Sequence, residues 1–340
     1  MKLGSGKLKG LQAVSNERGV IGAAAMDQRG ALRSPLAKAR GVPPEQVTAA
    51  DLAEFKSAVS RVLTPHASAI LLDPEYGMEA TRFRHRNAGL LLAYEKSGYD
   101  NTRPGRRPDL LPAVSAHRLR QLGADAVKVL LYYTPEEDAA VNDAKHAFIE
   151  RIGAECEAVD IPFFLEFVGY DPAGGDEKGC EFAKKKPEVV ARSMAEFSKD
   201  NYRVDVLKVE VPVNLAFAEG AACYTGPQAY TRKEALEHYR QAAASSRRPF
   251  IYLSAGVSNE QFTESLEWAA EAGVAFSGVL CGRATWKDGI PVYAQKGVAA
   301  LEEWLRTKGV ANIEAVNERL KAARPWYGFY GARSAVELAA

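Results

Sequence analysis

The stretch DVLKVEVP, Asp205 to Pro212, is an apolar run that carries charge at alternate positions, and the way those charges fall decides the fold. Side chains alternate across an extended strand, so Leu207, Val209 and Val211 make one wholly apolar face while Val206, Lys208 and Glu210 share the other. The apolar face suits contact with helices, which turns Lys208 and Glu210 towards an enclosed interior. Immediately upstream, PFFLEFVGY (Pro162 to Tyr170) repeats the arrangement, with Glu166 on the face of Phe164 and Val168, and DAVKVLLYY (Asp125 to Tyr133) carries Lys128 in its middle.

Working outwards, five more runs of this kind appear: GVIGAAAMD (Gly19 to Asp27), SAILLD (Ser68 to Asp73), GLLLAYE (Gly89 to Glu95), PFIYLSAG (Pro249 to Gly256) and FSGVLCGR (Phe276 to Arg283). Near-continuous apolarity is the mark of parallel strands covered on both faces. The segments between them open with helix-start chemistry: Thr134 before Pro135, Glu136 and Glu137, Thr231 with Glu234 three residues on, and Ser258 with Gln261. Eight strands alternating with helices predict an α/β fold, a (β/α)8 barrel in one domain over residues 1–340. No G-x-G-x-x-G follows the first run, which argues against a doubly wound dinucleotide fold. Residues 1–16 read as a helical extension over the barrel bottom. After the eighth run come further helices and a tail, 326–340, rich in aromatics, which is expected to pack on the body, near the site or at a subunit contact.

Composition narrows the function. With 340 residues, 47% hydrophobic and 26% charged, the chain can bury a large core, and a formal charge of +1 is too balanced for a nucleic-acid binder. No run approaches the ~18 apolar residues of a membrane span, and the start lacks a signal-peptide core, so a cytoplasmic protein without membrane or nucleic-acid partners is expected. The four cysteines form no C-x-x-C pair and the five histidines no H-x-x-x-H or H-E-x-x-H pair, which points to a site without metal or other cofactor.

Three ionisable residues inside apolar strands are the anomaly. Adjacent strands lie about 5 Å apart, so Lys208 and Glu166 are expected as neighbours, with Lys128 one strand further. Two ammonium groups about 6 Å apart at an effective dielectric near 20 repel by roughly 2.8 kcal/mol, about two pKa units, so a charged Lys128 favours a neutral Lys208. A neutral lysine can add to a ketone, and a nearby carboxyl can shuttle the protons. The same pattern also fits a structural Lys-Glu-Lys network filling the barrel centre.

At the ends of the last two strands, LSAG and CGRA offer Ser254, Gly256, Gly282 and Arg283 as an anion-binding group, the position where barrel enzymes often hold phosphate. Tight strand-to-helix turns would need the same glycines. DQRG at the end of the first run places Asp27, Gln28 and Arg29 at the same mouth, where Asp27 fits a sugar contact and a helix cap equally. The basic runs RFRHR (Arg82 to Arg86) and RPGRRP (Arg103 to Pro108) read as solvated loops.

AAAMDQRGAL, ILLDPEYG, GLLLAYEKSGYD, VKVLLYY, IPFFLEF, DVLKVEVPVN, IYLSAGVS and GVLCGRATW, in this order, resemble the class I tagatose-1,6-bisphosphate aldolases over about Val14 to Pro325. The resemblance implies a metal-independent (β/α)8 enzyme that cleaves D-tagatose 1,6-bisphosphate to dihydroxyacetone phosphate and glyceraldehyde 3-phosphate. It puts the Schiff-base lysine on Lys208, the acid/base glutamate on Glu166 and a second active-site lysine on Lys128. It also implies that Ser254, Gly256, Gly282 and Arg283 hold the C1 phosphate and that Asp27 and Gln28 contact the sugar chain; it assigns no residue to the second phosphate, for which Arg29 is a candidate. A homodimer follows from the likeness alone. Two alternatives share these motifs: an aldolase of 6-deoxy-6-sulfofructose 1-phosphate, and a sugar-phosphate-responsive regulatory protein on the same scaffold.

Overall fold

A computed structural model describes residues 2–100 and 102–340. Eight parallel strands close into a barrel in chain order: β1 Ile21–Ala25, β2 Ala69–Leu72, β3 Gly89–Ala93, β4 Ala126–Tyr132, β5 Phe163–Val168, β6 Val206–Glu210, β7 Phe250–Leu253 and β8 Gly278–Cys281. Each of the eight apolar runs contains one of them. Ala23, Leu71, Leu91, Ala126, Phe164, Val206, Ile251 and Leu280 fill the interior, while the alternate side chains, Leu207 and Val209 among them, join the larger core under the helices. Full burial of such a side chain stabilises the fold by about 1.5–3 kcal/mol.

The helix starts are mostly those expected. Thr231 with Glu234 and Ser258 with Gln261 both form capping boxes, and a third, Thr48 with Asp51, opens the helix Ala49–Leu63. Thr134 does not start a helix. Residues 134–138 turn, and the helix Ala139–Ala158 begins behind Asp138, whose carboxylate accepts from Ala140 N at 2.9 Å. The connection from β2 to β3 carries a 3-10 turn, Glu79–Phe83, in place of an α-helix.

Both ends of the chain close the barrel floor, where the strands begin. The helix Ser5–Ala13 crosses the starts of β3 and β4, so tightly that a Cβ on Gly10 would come within 2.2 Å of the Asp125 carbonyl oxygen. Asp160 accepts from the Gly6 and Lys7 amides, and Lys7 Nζ donates to both Asp205 oxygens at 2.8 and 3.0 Å. Met1 of the expected extension lies outside the described residues. The tail corrects its expectation: it orders at this floor and not near the mouth. Trp326 N donates to Gly19 O, Tyr330 Oη donates to Asp205 O, and Leu3 pairs with Ala339, so the aromatic cluster covers the interior from below. Among the described residues no helix is long and apolar enough to cross a membrane.

Candidate active site

The mouth, where the strands end, holds a cavity of about 610 Å³. Lys208 on β6 and Glu166 on β5 are register partners, and Glu166 Oε2 lies 2.9 Å from Lys208 Nζ. The same oxygen lies 2.8 Å from Lys128 Nζ, one strand further along. One buried carboxylate oxygen thus carries two ion pairs. Lys208 is 3% exposed and Lys128 fully buried.

Two further carboxylates complete the group. Lys128 Nζ donates to Asp27 Oδ2 at 2.7 Å and to Glu95 Oε1 at 2.8 Å. Burial opposes the charge on Lys128, but Asp27, Glu166 and Glu95 outweigh it and hold the ammonium well above its ordinary pKa. Asp27 is likewise buried, yet Lys128 and Lys208 pull its carboxyl well below the usual range; Glu166 is lowered in the same way. Burial prevails at Glu95, which is raised despite Lys128 and Arg29. Two lysines and three carboxylates thus replace the three-charge cluster expected from the strands. Glu95 was not singled out, although the alternation that finds Glu166 also puts it on the inward face with Leu91 and Ala93.

Asp27 is therefore bound to Lys128 and does not cap the next helix, which starts at Gly30 without a side-chain cap. Asp27 Oδ1, Gln28 Oε1 and Glu95 Oε2 are buried acceptors without a hydrogen-bond partner, all on the cavity wall. Buried acceptors are costly unless paired, and three on one cavity wall suit a ligand rich in hydroxyl donors. Arg29 also lines the cavity, with its guanidinium committed to Glu75 Oε2 at 2.6 Å and the Glu95 carbonyl at 2.9 Å.

Ser254, Gly256, Gly282 and Arg283 meet on the part of the wall after β7 and β8, where Gly282 adjoins Gln28. Ala255 and Gly256 both have positive φ, 48° and 80°, which folds the chain back after β7 and lays Arg283 against Gly256. A Cβ on Gly256 would stand 2.8 Å from Arg283 Cζ. Lys287 Nζ donates to Gly256 O at 3.1 Å and secures the turn. Within the run RPGRRP, read as a solvated loop, Arg106 departs: it stacks on Tyr170, Tyr99 and Tyr132 and pairs with Glu177, and Tyr132 and Glu177 line the cavity. Among the described residues no cluster of His, Cys, Asp and Glu side chains is arranged to hold a metal ion.

The fold is shared with solved aldolases. The fructose-bisphosphate aldolase of Plasmodium falciparum, solved with TRAP and a small-molecule inhibitor, superposes with a TM-score of 0.65 at 15% identity, covering 94% of this chain and 97% of that one. A Schiff-base-forming fructose-1,6-bisphosphate aldolase gives 0.54 at 15% identity, over 92% and 98%. The sequence comparisons go further. A model described as DeoC/LacD family aldolase matches residues 21–288. A tagatose 1,6-diphosphate aldolase of Listeria monocytogenes serotype 4b (strain CLIP80459) is 52% identical over 332 residues, 97% of this chain and 96% of the relative. Tagatose 1,6-diphosphate aldolase 2 of Enterococcus faecalis is 51% identical over 328 residues, 96% of this chain and 97% of the relative. An aldolase barrel, a carbon–carbon lyase, is the class that this fold and its charged mouth define. The chain belongs to the DeoC/LacD aldolase family.

Proposed function

We propose that the chain cleaves D-tagatose 1,6-bisphosphate reversibly to dihydroxyacetone phosphate and D-glyceraldehyde 3-phosphate through an iminium on Lys208. The observation that carries this reading is the shared carboxylate: Glu166 Oε2 within 2.9 Å of Lys208 Nζ and 2.8 Å of Lys128 Nζ, at the floor of a cavity lined by hydroxyl acceptors. The substrate follows the names of the Listeria and Enterococcus relatives.

The steps balance with these residues alone. Lys208 gives a proton to Glu166 and its free amine adds to the C2 carbonyl; a proton passes from the added nitrogen to the C2 oxygen to give the carbinolamine, whose hydroxyl takes a proton back from Glu166 and departs as water, leaving the iminium. Glu166 then removes the C4 hydroxyl proton. The C3–C4 bond breaks, its electron pair passes into the iminium to form the enamine, and glyceraldehyde 3-phosphate departs. Protonation at C3 and hydrolysis release dihydroxyacetone phosphate and restore Lys208. Lys128, locked as a cation, keeps Glu166, Asp27 and Glu95 together and offers a donor to substrate oxygens. Ser254, Gly256, Gly282 and Arg283 hold the C1 phosphate, and Asp27 and Gln28 accept from the sugar chain; Arg29 stiffens that wall.

Borohydride reduction with substrate is expected to add the sugar-derived mass at Lys208, and reduction that leaves Lys208 unmodified overturns the assignment. Parallel turnover of tagatose 1,6-bisphosphate, fructose 1,6-bisphosphate and 6-deoxy-6-sulfofructose 1-phosphate tests the substrate, with the first expected to be preferred. A cytoplasmic homodimer accompanies the reading on family likeness, and sedimentation that gives only monomer removes the dimer.

A further inference from the structure

Lys56 sits in the middle of the helix Ala49–Leu63, and neither it nor its partner Asp73 has any side-chain exposure. Its ammonium donates three times: to Asp73 Oδ2 at 2.6 Å, to Met26 O at 2.6 Å and to Gln28 O at 2.8 Å. Those two carbonyls bracket Asp27. Met26 N is held in turn by Leu71 O, so the chain is pinned before and after Asp27 where it leaves β1.

Asp73 extends the connection. Its other oxygen accepts from Glu75 N at 3.1 Å and Tyr76 N at 2.8 Å, which shapes the loop after β2, and Glu75 Oε2 accepts from Arg29 Nη1 at 2.6 Å. One carboxylate thereby governs Asp27 through Lys56 and Arg29 through Glu75. Fold stability is a poor reason for such a pair. Two fully buried charges pay a desolvation cost that a well-packed apolar pair of similar volume avoids, and replacement of that kind is often neutral or stabilising. What apolar side chains cannot do is grip two carbonyls at once and fix the residue between them.

We propose that Lys56 and Asp73 are positioning residues of the aldol reaction: they set Asp27, and through it the Lys128 ammonium, at the distance from Glu166 that the chemistry needs. The inference rests on the reading of Lys208 and Glu166 given above. A displacement of about 1 Å at a reacting group can cost about a hundredfold in rate.

The test is a double-mutant cycle in kcat/KM, with each protein normalised to the Lys208 that borohydride traps. Lys56→Met with Asp73→Asn removes both charges yet keeps the amide oxygen that accepts from Glu75 N and Tyr76 N. This pair of substitutions is expected to lower kcat/KM about tenfold to a hundredfold in the parent and less than about threefold in an Asp27→Asn background. Equal losses in both backgrounds, or a lowered unfolding midpoint with unchanged kcat/KM per trapped lysine, overturn the proposal. Asp73→Asn alone keeps the oxygen that accepts from Glu75 N and Tyr76 N and most of the packing, while an amide NH2 replaces the oxygen that accepts from Lys56, so it reports if the pair does not fold: its loss of rate must likewise vanish in Asp27→Asn. A parent enzyme with no label on Lys208 sinks the underlying assignment instead, so the two failures are told apart.

Discussion

Glu166 and Lys208 stand directly opposite each other across β5 and β6, joined at 2.9 Å by side chains from two adjacent strands of one ladder. The pair is placed by the backbone register of a closed barrel, so loop motion at the mouth does not alter it. Glu166→Gln keeps the shape of the side chain and removes its ability to move protons. Acid–base residues are worth about 10²–10⁴ in rate, and a fall in kcat of that size is expected in a stopped assay of triose phosphate release, with unfolding midpoints close to the parent's. A variant with near-parent kcat would put the proton shuttle elsewhere.

Lys128→Met removes a cation that touches Asp27, Glu95 and Glu166 together. Removing one partner of a buried charge pair typically costs about 3–5 kcal/mol, to be read in urea unfolding. The sign of the pH dependence also follows. Burial raises Glu95 even beside Lys128, and without that ammonium the three carboxyls are pushed up in the folded state. A group whose folded pKa lies above its unfolded value binds more protons when folded, so it stabilises at low pH and that benefit fades as pH rises through the folded pKa. The variant is therefore expected to be more stable near about pH 5 than about pH 8, and equal midpoints at the two would refute the account.

Gly256→Ala tests the anion-binding wall. The new Cβ would lie 2.8 Å from Arg283 Cζ at a position with φ of +80°, so both the guanidinium and the turn must shift. A left-handed residue other than glycine costs about 1–2 kcal/mol by itself. The expected result is a KM raised about tenfold, a change of about 1.4 kcal/mol in binding, with a smaller change in kcat. Isothermal titration with inorganic phosphate gives an independent readout, and parent-like phosphate affinity would remove the site from this turn.

The cysteines differ in chemistry because they differ in burial. Cys281 lies at the end of β8 with its thiol pushed up to about 12 by burial, and burial raises Cys156 as well. Half-buried Cys180 is expected to take iodoacetamide first in the native protein, with Cys156 and Cys281 unmodified until the chain unfolds. Cys223 lines the cavity, so substrate should slow its labelling; peptide mass mapping with and without substrate checks both statements.

Much of this was legible in the sequence because buried parallel strands leave a plain signature: apolar on both faces, bounded by Gly, Pro or Asp. Lys128, Glu166 and Lys208 stood out against that background, and alternation correctly turned them inward. Glu95 hid at the end of GLLLAYE, where a charge reads as the start of a loop. Lys56 was harder still, since a lysine in the amphipathic helix ADLAEFKSAVSRVL reads as a solvated side chain, and only the fold reveals the carbonyls and the carboxylate that hold it. The aromatic tail announced that it packs, but not on which end of the barrel. Arg106 among its three tyrosines was masked by the basic neighbours that made its segment look like exposed loop.

The floor built by Leu3, Trp326 and Leu338 has a practical consequence. Val336, on the same tail segment, is 72% exposed, at the end of the barrel remote from Lys208. A cysteine or affinity handle introduced there offers a tethering point for immobilised enzyme, with the mouth facing away from the support and reactants free to enter and leave.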